Sequence, residues 1–144
     1  MFSGWRICRR PHADLSGEGA RLVGGRWNSP GQPMIYMAAT PELAALEVRV
    51  HLDLPPDLIP DDYVLMRVDL DGLTIEAISI LPANPAAFGD QWLREKRTPV
   101  LRAPSVLMPE STNLLVNPLH PAGSGRIHAI RDFAFDRRLW LPLR

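Results

Sequence analysis

Apolar and polar positions change period several times along the chain, and the changes divide it into short elements. Residues 4–9 (GWRICR) read as a first strand, residues 17–31 as a long Gly-rich connection (GEGARLVGGRWNSPG), and MIYMAA at 34–39 as a second strand by its apolar and aromatic content. Thr40 then offers an N-cap, Pro41 suits the first helical position, and Glu42 complements the positive end of the helix dipole. The helix runs about three turns to Leu52 before Pro55 and Pro56 stop it, with Leu43, Leu46, Val50 and Leu54 as its inward stripe. Tyr63 to Leu70 alternates as a strand, Asp71-Gly72 is a turn, and Leu73 to Ile80 is the second strand of a hairpin-like pair. Asp90 to Arg97 forms a short helix around Trp92, and PVLRAPSVLMP with NLLVNP supplies two or three short buried strands punctuated by proline. FAFDRRLWL closes the pattern as an alternating strand with Phe133, Phe135 and Leu139 on one side. Strands outnumber helices without a regular βαβ alternation, so the expected class is α+β, with mixed or antiparallel sheets and short helices.

Composition narrows this picture. A chain of 144 residues fits one domain, 1–144, and a domain of that size buries roughly 68–70% of its unfolded surface. Metal or disulfide staples are therefore not needed. Cys8 is the only cysteine, no Cys/His zinc spacing occurs, and a reducing, cytoplasmic compartment fits best. The first residues, MFSGWRICRRPH, carry bases with no apolar run behind them, and no stretch is long enough to span a membrane. Sixteen basic residues balance sixteen acidic ones, so no global field attracts nucleic acid. Lys96 is the only lysine, and arginine favours planar, bidentate pairing with carboxylate or phosphate, although such a bias also follows from a GC-rich genome.

Glu47 is the anomaly in the pattern. It lies four residues after Leu43 and three before Val50, inside the apolar stripe, where a carboxylate is costly unless it is paired or faces a cleft. A catalytic acid and a structural ion pair to an arginine fit that position equally well. The Gly-rich connection ends in Gly24-Gly25-Arg26-Trp27-Asn28, a segment able to fold around a phosphate or to serve as a plain turn. Tyr36 stands mid-strand in opposite phase to Ile35 and Met37, where packing is the usual role. Ser105, in APSV, has no GxSxG elbow around it, and Asn113 and Asn117 flank LLV, where amides commonly satisfy backbone groups. His12, His51, His120 and His128 show no paired metal spacing, and His51 stands next to the inward stripe.

Taken in order, GGRWN, MIYMAATPELAALEVRVHL, APSVLMPESTNLLVNPLHP and FDRRL resemble the RES domain of bacterial toxin–antitoxin systems, from WRIC to RRL. The family is named for an arginine, a glutamate and a serine, which the resemblance places at Arg26, Glu47 and Ser105. Tyr36 matches its active-site tyrosine, and Arg6 is a second family-like arginine. The resemblance implies a fold similar to ADP-ribosyltransferase toxins and cleavage of the nicotinamide–ribose bond of NAD. ADP-ribose would then pass to water, to inorganic phosphate or to a protein side chain. Catalytic roles fall to Glu47, Arg26 and Ser105, and NAD binding to Arg26, Tyr36, Ser105, Arg6, Asn28 and Asn117, with no metal. The implied partner is an Xre-type, DNA-binding antitoxin that supplies any nucleic-acid contact, and a homodimer is compatible with the sequence. Two other classes fit the residues alone: a nucleotide-binding module without catalysis, and a protein-interaction domain.

Overall fold

The computed structural model describes residues 1–140. Among these residues, seven strands form one sheet: β1 (Ser3–Arg9), β2 (Ile35–Ala38), β3 (Tyr63–Asp69), β4 (Ile75–Ala77), β5 (Val100–Pro104), β6 (Thr112–Val116) and β7 (Arg126–Asp132). Their order is β4-β5-β6-β2-β1-β3-β7, antiparallel throughout except for the parallel β4–β5 pair. Three α-helices accompany it among the described residues: α1 (Glu18–Val23), α2 (Pro41–His51) and α3 (Pro85–Glu95). The class is α+β with a mixed sheet, as the pattern predicts.

Strand alternation sorts the core between the two faces of the sheet. Ile35, Met37, Val64, Met66, Val68, Leu114 and Val116 form one apolar cluster. On the opposite side, Leu101, Ala103 and Leu115 pack with Trp27 and with Trp92 of α3, while Ile7, Ala38 and Leu65 pack under Leu43 and Ala44 of α2. The Trp92 indole is fully buried, and its Nε1–H donates to Thr98 Oγ1 at 3.1 Å, so no polar atom is left orphaned by that burial.

Helix α2 begins as its sequence dictates: Thr40 is extended and its side chain accepts from the Leu43 N–H, with Pro41 behind it. Its buried face differs from the expected stripe. Leu43 and Ala44 face the sheet, whereas Leu46 and Val50 are 38% and 52% exposed and Leu54 is also exposed. The small Ala44 lets the helix lie close on β1 and β2, turning the larger residues outward. Glu47 remains on the inward side, four after Leu43 and three after Ala44.

Four other expectations need correction. The Gly-rich connection holds α1, bounded by Gly17 and Gly24 at φ 68° and 75° and supported by a Glu18–Arg21 ion pair. β4 does not return beside β3, because β1 and β7 already occupy both edges of β3; it crosses to the far edge of the sheet and joins β5. Helix α3 starts at Pro85, capped by Asn84, rather than at Asp90. The last strand is β7, RIHAIRD, and not FAFDRRLWL, whose residues 133–136 are irregular before a single 3-10 turn at Arg137–Leu139. Leu141, the end of that expected strand, lies outside the described residues. Phe133 and Phe135 do pack inward, edge-to-face with each other at 4.9 Å, and Phe135 also edge-to-face with Tyr63, but Leu139 is exposed.

One break in the sheet places the site. β1 pairs with β3 along its whole length, yet with β2 only at Trp5↔Ala38. Continuing that register would set Arg6 against Met37 and Ile7 against Tyr36. Those pairs do not form, and the two strands diverge.

Candidate active site

The divergence opens a cleft of about 710 Å³, within the range of small-molecule sites. Arg6, Ile7 and Cys8 line it from β1, and Tyr36 and Met37 from β2. Glu47, Val48 and His51 reach it from α2, Asn113 from β6, and Gly24 to Trp27 from the loop after α1.

Glu47 has no ion-pair partner among the described residues, so the structural salt bridge to an arginine is not what holds it. Its Oε1 instead accepts from Ser105 Oγ at 2.7 Å and from Asn113 Nδ2 at 3.3 Å. Oε2 has no hydrogen-bond partner among the described residues. Two neutral donors thus orient one oxygen and leave the other without a donor among the described residues, free to meet a ligand. Ser105 is buried and does not line the cleft. Its Oγ also accepts from the N–H groups of Leu107 and Met108 at 3.2 Å each, so the turn after β5 fixes the hydroxyl that fixes Glu47.

Arg26 projects from a tight turn. Gly25 N–H donates to the Asn28 carbonyl at 2.9 Å, Trp27 is 2% exposed and packs edge-on against Phe88, and Arg26 is left exposed at the cleft. Trp27 is therefore a core anchor and not a stacking surface. Gly89 of α3 lies against the Trp27 carbonyl, closer than any Cβ would allow. Asp90 accepts from both the N–H and the hydroxyl of Ser29, tying α3 to the same segment. Asn28 is buried, and its amide donates to the carbonyls of Ala20 and Gln32 at 2.8 Å each; it shapes the turn and does not line the cleft.

Arg6 lines the cleft with its guanidinium anchored to the carbonyls of His12 and Asp14 at 2.8 and 3.2 Å. Arg6 and Arg26 thus border one cleft in which Glu47 is the single lining carboxylate among the described residues, an arrangement suited to a ligand that carries phosphate. Burial pushes the Cys8 thiol up, against the opposing pull of Arg6, which disfavours a thiolate nucleophile at neutral pH. Burial likewise pushes the Tyr36 phenol up to about 12.

Of the residues singled out in the sequence, Arg6, Arg26, Tyr36 and Glu47 converge on the cleft, and Ser105 stands directly behind Glu47. Asn117 does not: it is buried, its amide donates to the Leu93 carbonyl, and its Oδ1 accepts from Leu119 N–H. Asn113, where the sequence suggests only a backbone-satisfying amide, lines the cleft and touches Glu47. The signal for it is the alternation of NLLV, which puts Asn113 on the same side as Leu115, the residue opposite Tyr36. His51, one helical turn after Glu47, lines the same cleft.

The model of the RES domain matches residues 3–138. A protein of Pseudomonas putida named Toxin Res is 36% identical over 144 residues, 94% of this chain and 98% of its own length. A protein of a Sphingobium species named Prs ADP-ribosylating toxin is also 36% identical, over 94% of each chain. Among solved structures, the crystal structure of the M. tuberculosis MbcT–MbcA toxin–antitoxin complex contains a chain with a TM-score of 0.74 and 20% identity, covering 92% of this chain and 84% of that one. The fold is shared with that neighbour, and the match along nearly the full sequence shows that the chain belongs to the RES-domain family of toxins.

Proposed function

We propose that this chain is the toxin of a toxin–antitoxin pair and that it cleaves the nicotinamide–ribose bond of NAD, depleting the cell of NAD and arresting growth. The observation that carries the reading is the Glu47 carboxylate, oriented by Ser105 and Asn113 through one oxygen and facing a cleft bordered by Arg6 and Arg26. The naming of the Sphingobium relative as an ADP-ribosylating toxin supports NAD as substrate.

In the proposed reaction the C–N bond between ribose C1′ and the nicotinamide ring breaks, and its electron pair leaves with nicotinamide as a neutral molecule. Positive charge develops on the ribose, as in glycoside cleavage. Glu47 stabilises that charge or polarises the ribose 2′-hydroxyl through its free Oε2. Arg26 and Arg6 hold the pyrophosphate by bidentate hydrogen bonds. Ser105 acts through Glu47, as a positioning residue. An acceptor nucleophile then forms the new bond to C1′ and gives up its proton.

Water, inorganic phosphate and a protein side chain are the acceptor classes, giving a glycohydrolase, a phosphorylase or a transferase. Nicotinamide release from NAD by the purified protein tests the bond-breaking half, and its dependence on added phosphate separates the acceptors. No nicotinamide under any of these conditions would leave a nucleotide-binding module as the better reading. The antitoxin of the M. tuberculosis complex supports a cognate antitoxin as partner, here proposed to be of the Xre type, with a C-terminal part that covers the cleft.

A further inference from the structure

Tyr36 borders the cleft, and its ring alone would make it a stacking surface. Its hydroxyl is engaged elsewhere. It accepts from the Trp27 N–H at 2.9 Å and donates to Asn28 Oδ1 at 2.5 Å, and so bridges the residue after Arg26 and the one after that. A Cβ on Gly25, the residue before Arg26, would meet this hydroxyl at 2.6 Å, so the phenol oxygen touches the turn on both sides of the arginine. Asn28 carries the linkage onward: its amide donates to Ala20 of α1 and to Gln32, and its carbonyl accepts from Gly25 N–H. One hydroxyl on a β-strand thereby ties together helix α1, the Arg26 turn and the sheet.

We propose that the Tyr36 hydroxyl is a positioning group for Arg26: it locks the Gly25–Asn28 turn, so that the guanidinium is presented to the anionic part of the substrate in one preset orientation. The inference rests on the reading of Arg26 as an NAD-binding arginine and adds a role that ring stacking does not supply. Preorganisation of this kind removes the entropic cost of ordering a long, exposed side chain at the moment of binding. The Asn28 amide cannot reverse its orientation to compensate, because both of its ends are committed. The network therefore acts as one unit, and removing its central hydroxyl leaves the Trp27 N–H and Asn28 Oδ1 without their partner.

The test combines kinetics with a measurement that needs no activity. Nicotinamide release from NAD is followed as kcat and KM for the unaltered protein, Tyr36→Phe, Arg26→Ala and the double variant. Tyr36→Phe keeps the aromatic ring and is expected to raise KM about tenfold with a smaller change in kcat. In the Arg26→Ala background the same change is expected to alter KM by less than about twofold, because the hydroxyl acts only through the arginine. Equal KM in Tyr36→Phe and the unaltered protein, or effects that multiply in the double variant, would overturn the proposal.

Amide hydrogen exchange supplies the second arm. The Trp27 amide is expected to be protected in the unaltered protein and to exchange at least about tenfold faster in Tyr36→Phe, with the β2–β6 amides unchanged. An unprotected Trp27 amide in the unaltered protein, or no acceleration in the variant, also overturns it. If the unaltered protein releases no nicotinamide, the NAD reading fails separately, and the exchange data alone decide whether the hydroxyl holds the turn.

Discussion

The Ser105 hydroxyl meets Glu47 Oε1 at 2.7 Å across 58 residues of chain, and the same oxygen atom of Ser105 receives the N–H groups of Leu107 and Met108. A strand end thus orients a helix carboxylate without touching the cleft. Ser105→Ala is expected to lower kcat about ten- to a hundredfold with little change in KM, since the aim of Glu47 is lost while the arginines are intact. Stability should fall by about 1–3 kcal/mol, because two backbone donors lose their acceptor. Steady-state nicotinamide release and urea denaturation check the two parts separately. An unchanged kcat would show that Glu47 does not depend on this bond.

Gly89 tests the turn from the opposite side. Alanine at an internal helix position ordinarily gains about 1 kcal/mol over glycine. Here the added Cβ would collide with the Trp27 carbonyl, a backbone atom that cannot swing away. Overpacking of that kind costs about 1–3 kcal/mol or more, so the net effect of Gly89→Ala is destabilising. The denaturation midpoint is expected to drop, and KM for NAD to rise as Trp27 carries Arg26 with it. A stabilised variant would mean that α3 does not press on the turn.

The Tyr36 phenol also has a pH signature. Its folded pKa of about 12 lies above the ordinary value of 10.0, chiefly because burial disfavours the phenolate. Above pH 10 the unfolded chain releases that proton while the folded protein keeps it, so stability contributed by the neutral phenol is present below about pH 10 and declines as pH rises towards 12. A series of urea titrations between pH 9 and 12 is expected to show a steeper loss for the unaltered protein than for Tyr36→Phe. Parallel curves would contradict the assignment.

The parts of the site that sequence alone made legible are those written in local pattern. The cap and first turn of α2, the helical phase of Glu47 and the alternation through Tyr36 all depend on neighbours within a few residues, and each appears in the structure. The parts that were not legible depend on distant pairing. Nothing in Leu73–Ile80 says that β3 is already flanked on both edges, so its turn after Leu70 looks like a hairpin. β7 is exposed along its length, and RIHAIRD therefore carries no apolar alternation to find. Phe133 and Phe135 alternate correctly, but they follow the end of β7, and Phe135 packs between the Tyr63 and Trp140 rings rather than within a strand of its own. The same holds for the cleft, which exists because β1 and β2 stop pairing after Trp5 and Ala38, a fact of register that the sequence of neither strand encodes. Asn113 and Asn117 look alike in sequence, and only the pairing of β6 with β2 turns one towards Glu47.

The most direct measurement is nicotinamide release from NAD by the purified, folded protein beside its Glu47→Gln variant, which keeps the size and hydrogen-bonding shape of the side chain and removes its charge. The unaltered protein is expected to release nicotinamide, and the variant to turn over about a hundred- to a thousandfold more slowly with its denaturation midpoint nearly unchanged. A Glu47→Gln variant that releases nicotinamide at the rate of the unaltered protein would contradict the account.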